Sequence, residues 1–124
     1  KMQVIVPEQK STQQFDDGRK LPAFKKLMQQ TQLAYKQGQW NQAEASALQA
    51  QRLAPQSAET FLYLALVANK KNKPANAEAL AQRGLSYAQS NAMKKQLWLV
   101  ILKAAQQQKD QKTIQQAQKA LKVL

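Results

Sequence analysis

Seven carboxylates, no histidine and no cysteine leave this chain of 124 residues few groups that could do chemistry. A general acid–base pair needs two ionisable groups held within reach of one bond. Asp16 and Asp17 are the only adjacent acids, and Glu8, Glu44, Glu59, Glu78 and Asp110 stand far apart. Thiol and imidazole catalysis are excluded, and the usual zinc ligand sets cannot be assembled. The sequence therefore predicts a protein that is not an enzyme and that carries no cofactor and no metal. Positive charge is its main chemical resource: 19 Lys and Arg against 7 Asp and Glu give +12. After Glu78 the single acid Asp110 faces Arg83, Lys94, Lys95, Lys103, Lys109, Lys112, Lys119 and Lys122. Such a surface attracts polyanions, anionic membrane or acidic protein without choosing among them, and it also serves simply to keep a protein soluble. The cations are spread along the chain with no recognition motif and little aromatic interleaving, so no specific nucleic-acid partner is expected.

The elements that must position these groups are helices. Of the residues 44% are hydrophobic and 6% aromatic, so the core must be built from alanine and leucine at close helix contacts. Residues 1–20 carry Pro7, Gly18 and scattered polar residues without a helical stripe, and read as a mobile arm before a domain over 21–124. Pro22 opens a first helix with Phe24, Leu27, Met28, Thr31, Ala34 and Tyr35 on one face, ending near Gly38. A second starts around Trp40, follows Ala43, Ala47, Ala50 and Leu53, and stops at Pro55. Ser57 caps a third, whose run Phe61–Ala68 is apolar on nearly every side, as in a central helix. Pro74 opens a fourth along Ala77, Leu80, Ala81, Leu85 and Tyr87. Gly84 inside it costs about 1 kcal/mol relative to alanine and signals a close approach by a neighbour. The glutamine runs at 29–30, 106–108 and 115–116 lie within helical spacing and read as solvated faces.

A shift of 34 residues lays Ala34, Gly38, Trp40, Ala43, Glu44, Ala47 and Ala50 on Ala68, Asn72, Pro74, Ala77, Glu78, Ala81 and Gly84. Gly38 and Asn72 answer one backbone demand, since both tolerate positive φ. A third unit matches once the step is lengthened by three residues between Ser90 and Lys95. Phe61, Leu64, Ala65, Ala68 and Ala77 then meet Trp98, Ile101, Leu102, Ala105 and Ile114, and Asp110 opens a last helix with Ile114, Ala117, Leu121 and Leu124. The extra residues extend the start of the fifth helix or the loop before it. With this spacing the chain resembles a tetratricopeptide-repeat (TPR) protein, departing from the pattern at Gln30 and Gln89. The resemblance implies an all-α, right-handed solenoid of about three helix-turn-helix units, at about 24–57, 58–91 and 92–124, the third degenerate. The last helix can cap the stack or pair with a second copy.

In that family the first helix of each pair lines a concave groove. The resemblance places Met28, Gln32, Tyr35, Leu62, Tyr63, Leu66, Asn69, Lys70, Leu99, Lys103 and Gln106 on that side. The positions where chaperone adaptors clamp a C-terminal carboxylate hold Met28, Gln32, Tyr63, Gln96 and Val100, so that clamp is missing. The groove is expected instead to be apolar, centred on Leu62, Tyr63 and Leu66 and rimmed by Lys70, Lys71, Lys73 and Lys103. The segments Gln51–Pro55, Gly84–Ala88 and Ser90–Ala92 leading into Trp98 are similar to small TPR lipoproteins of Gram-negative bacteria. Some of these activate a bifunctional, class A penicillin-binding protein in peptidoglycan synthesis. That resemblance implies a periplasmic activator tied to the outer membrane by a lipidated cysteine upstream of Lys1, the first 20 residues being the end of its tether. The alternative is a general peptide-binding adaptor or assembly scaffold, cytoplasmic if no lipid anchor precedes Lys1.

Overall fold

The computed structural model describes residues 18–124, so the expected arm lies almost wholly outside the described residues. Among the described residues there are six helices and no strand: α1 (Pro22–Lys36), α2 (Trp40–Leu53), α3 (Ala58–Lys70), α4 (Pro74–Tyr87), α5 (Asn91–Gln108) and α6 (Gln111–Lys122). The helix starts follow from side chains placed to serve them. Pro22 and Pro74 occupy the first turns of α1 and α4, where a missing N–H costs nothing. Ser57 Oγ accepts from Thr60 N at 3.4 Å and Ser90 Oγ from Met93 N at 3.1 Å. Asp110 accepts twice from Thr113, at 3.2 Å from its N–H and at 2.7 Å from its hydroxyl. Three orphan donors and a hydroxyl are thereby engaged by one carboxylate and two serines. Pro55 ends α2 as expected, forcing Ala54 out of helical geometry to φ −139°.

The turns within the three hairpins share one construction. Gly38, Asn72 and Lys109 have φ of 74°, 61° and 59°. The next N–H in each case reaches back five residues, Gln39 to Ala34, Lys73 to Ala68 and Asp110 to Ala105, each at 2.9 Å. These bonds satisfy carbonyls that a helix end otherwise leaves free. Asn72 behaves as its spacing foretold. Lys109 does not belong to the residue types that enter this conformation readily, and it is strained.

Helices packed in this order form a stack whose two sides differ. Each helix packs on the next; beyond that, α1 touches α3 and α3 touches α5, whereas α2, α4 and α6 have no contact with one another. The first helices of the pairs are thus the inner row and the second helices the splayed outer row, which gives the stack its concave side. Small side chains permit the close crossings: Ala43, Ala47, Ala50, Ala65, Ala77, Ala81, Ala104, Ala105 and Ala117 are all fully buried. Larger side chains fill the rest. Phe24 and Met28 pack with Ala50 and Ala54 in the first seam, and Leu62, Leu97, Val100 and Ile101 join the second and third pairs. A Cβ on Gly84 would lie 3.0 Å from Phe61 Cβ and 2.9 Å from Leu97 Cδ2, so the expected close approach is real and is made by side chains of α3 and α5.

Two outer-helix glutamates one period apart grip the end of the following inner helix. Lys71 Nζ lies 3.0 Å from Glu44 Oε1, and Gln108 Nε2 donates to Glu78 Oε1 at 3.0 Å. The three added residues fall at the start of α5, which has 18 residues against 13 in α3. In the third unit Trp98, Leu102 and Ile114 are only half-buried, since no described element packs beyond α6. The expected covering face of α6 is correspondingly reduced. Ala117 and Thr113 are buried, but Leu124 lies past the helix end and is 37% exposed.

Candidate protein-binding groove

The inner helices bring two hollows to the concave side. The smaller has a volume of about 270 Å³ and is lined by Tyr35 from α1, by Leu62, Leu66, Asn69 and Lys70 from α3, and by Gln96, Leu99, Val100 and Lys103 from α5. The larger, of about 820 Å³, lies at the N-terminal ends of the same helices and includes Phe24, Met28, Gln32, Glu59, Ser90 and Met93. Helical spacing explains the smaller one: residues 62, 66 and 69, like 96, 99, 100 and 103, recur at three- and four-residue steps and share one face.

The expected groove residues separate into three roles. Tyr35, Leu62, Leu66, Asn69, Lys70, Leu99 and Lys103 converge on the smaller hollow, with Leu99 nearly half exposed and Leu62 forming buried floor. Met28 is buried in the first seam, where its sulfur accepts from Thr60 Oγ1 at 3.6 Å, and it reaches only the larger hollow. Gln32 joins it there, donating to Glu59 Oε2 at 2.8 Å across α1 and α3. Tyr63 is half-buried against the first seam, its ring edge-on to Tyr35 at 5.7 Å, and does not line the smaller hollow. The centre therefore lies at Leu66 and Leu99 rather than at Tyr63. Gln106 is exposed and lines neither hollow.

The rim is also redrawn. Lys71 is turned away to Glu44 and to Asn41 Oδ1, 2.8 Å distant, and Lys73 stands just before the start of α4, outside the hollow. Lys70 and Lys103 remain. Lys70 is held with its ammonium 5.7 Å from the Trp40 ring centroid, and Trp40 packs on Tyr35 at 5.2 Å. Cation–π attraction to a ring that is itself packed on Tyr35 thus orients one rim charge before any partner arrives. Burial raises the Tyr35 hydroxyl above its ordinary pKa; burial, then the Glu59 carboxylate, then Tyr35 raise that of Tyr63. Both phenols are uncharged donors at neutral pH. Gln96 and Val100, outside the expected groove set, also line this hollow, and their spacing from Leu99 and Lys103 is the signal in the sequence.

With this geometry in place, comparison with solved structures finds a match to the globular C-terminal domain of P. aeruginosa LpoP. The two are 33% identical with a TM-score of 0.73, over 80% of this chain and 95% of that domain. The chain belongs to the LpoP family. The LpoP domain and this chain share the helical stack, so the all-α TPR-like reading and the narrower lipoprotein resemblance meet in one structure. No protein-family profile matches the chain, and no curated protein sequence does. No helix among the described residues is long and apolar enough to cross a membrane.

Proposed function

We propose that this chain is the non-enzymatic interaction domain of a periplasmic lipoprotein, anchored in the outer membrane, that activates a bifunctional class A penicillin-binding protein. The observation that carries this reading is the likeness to the LpoP domain, whose length is covered almost completely. The similarity of Gln51–Pro55, Gly84–Ala88 and Ser90–Ala92 to small Gram-negative TPR lipoproteins points to the same partner class. An activator of this kind acts by binding one conformation of the synthase better than another, so it needs a shaped surface and no catalytic groups. The concave side supplies such a surface, with an apolar floor and two lysines at its edge.

The test adds the purified domain to a class A synthase and follows glycan polymerisation and peptide cross-linking with lipid-linked substrate. A rise in rate that saturates with the domain is expected. No rate change, together with no binding at micromolar concentration, overturns the proposal. The same hollow supports a second reading as a general peptide-binding adaptor, which predicts peptide binding without any effect on a synthase.

A further inference from the structure

The smaller hollow is asymmetric in charge and apolar at its floor, and both features describe its occupant. Two lysines, Lys70 and Lys103, stand on its rim, and among the described residues no carboxylate lines it. Between them Leu66 and Leu99 present apolar surface, and Leu99 is 47% exposed although it is a large apolar side chain on an inner helix. Asn69, 7% exposed, donates from Nδ2 to the Val100 carbonyl at 3.4 Å and so ties α3 to α5. Its Oδ1 is buried and has no protein partner among the described residues. The volume, about 270 Å³, is below the usual range for a small-molecule pocket of roughly 300–1,000 Å³, and suits a side chain with its adjoining main chain.

We propose that this hollow docks a polypeptide segment of the protein partner in which an apolar side chain is flanked by carboxylates. The apolar side chain packs on Leu66 and Leu99. The flanking carboxylates pair with Lys70, already oriented by Trp40, and with Lys103. The inference rests on the protein-binding reading of the concave side and names the chemistry of what enters it. Specificity follows from charge, since a basic segment meets two like charges and a segment without an apolar residue leaves Leu99 wet.

The test uses the whole chain and three short peptides of equal length. In the first, leucine is flanked by glutamates; in the second, that leucine is replaced by alanine; in the third, the glutamates are replaced by lysines. Amide shifts of isotope-labelled protein are followed by NMR during titration. The expected result is a saturable shift confined to residues around Leu66, Asn69, Lys70, Leu99 and Lys103, given by the first peptide alone. The double variant Lys70→Glu/Lys103→Glu should weaken it roughly tenfold, whereas the equally charged control Lys112→Glu/Lys119→Glu on α6 leaves it unchanged. All four positions are exposed, and circular dichroism checks that each variant folds. Equal binding of the alanine peptide, shifts scattered over α5 and α6, or equal loss in both double variants overturns the inference by reducing it to general charge attraction. The two readings fail separately. If the wild-type chain activates the synthase and the Lys70→Glu/Lys103→Glu variant does so equally, the hollow is wrong and the activator stands. If neither acts on the synthase while the acidic peptide still docks, the activator is wrong and the hollow stands.

Discussion

Replacing Lys109 by glycine should stabilise the domain, and replacing Gly38 by alanine should destabilise it by a similar amount. The two residues sit in the same kind of turn, with φ of 59° and 74°, and make the same bond back along their helices. A non-glycine residue in the left-handed region costs about 1–2 kcal/mol. Glycine returns roughly 0.5–1 kcal/mol of that through the greater freedom it loses on folding. The net effect is about 0.5–1 kcal/mol at each site, equivalent to about 2–8 °C in Tm for a domain of this size. Gly38 isolates the backbone effect, because an added Cβ would meet only Trp40 Cζ2 at 3.9 Å, an ordinary contact. Lys109 carries a complication, since its ammonium favours the carboxyl end of α5. Measurement in about 0.5 M salt screens that attraction. Thermal and urea unfolding followed by circular dichroism give both values. If Lys109→Gly fails to raise Tm at that salt, or Gly38→Ala leaves it unchanged, the positive φ of these turns is not what sets their residue preference. Asn72→Gly should rise by less than Lys109→Gly, because asparagine tolerates the conformation better.

Leu97→Ala removes a fully buried side chain from the seam between the second and third pairs and should cost about 2–5 kcal/mol, read from the urea midpoint. Gly84→Val forces branched atoms against Phe61 Cβ and the enclosed Leu97 side chain and should lose roughly 1–3 kcal/mol in the same assay; an unchanged midpoint would show that this crossing is looser than the 2.9 Å approach implies. The hydrogen bond from the Thr113 hydroxyl, then that from its N–H, holds the Asp110 carboxyl below its ordinary pKa. A depressed folded-state pKa means stability that is present above the unfolded value and lost as pH falls through the folded one. Asp110→Ala should therefore lower Tm at neutral pH, and the gap to wild type should close below about pH 4. A gap that persists at pH 2 would assign the effect to something other than the carboxylate.

The fold was legible because its constraints fall on residue types that have few uses. Prolines at 22, 55 and 74, Gly38 and Asn72, and buried alanines one period apart each answer a backbone or close-packing demand. Lys109 was not legible as a turn residue, since lysine carries no signal for positive φ, and its position emerges only from the lengthened period. The concave face was readable as a set of helical positions, while the direction taken by individual side chains was not. Lys71 is one residue beyond Lys70 in sequence but is drawn to Glu44 on the outer row, and that pairing depends on how α2 and α3 cross. Tyr63 leaves the hollow because Tyr35 and the first seam offer its ring more contact than the groove does. Gln96 and Val100 enter it because α5 packs on α3, a relation between helices that periodicity within one helix cannot express.

The neighbours of the helices are unequally shared: among the described residues α3 touches four other helices, whereas α6 rests on α5 alone. In a linear array, the element with a single supporting surface comes away at the lowest free energy. Acid removes the charged form of the Asp110 cap from that same helix, so peeling begins at α6 and is eased by protons. The remaining five helices keep both lysines and both leucines of the smaller hollow, because every one of its lining residues comes from α1, α3 or α5.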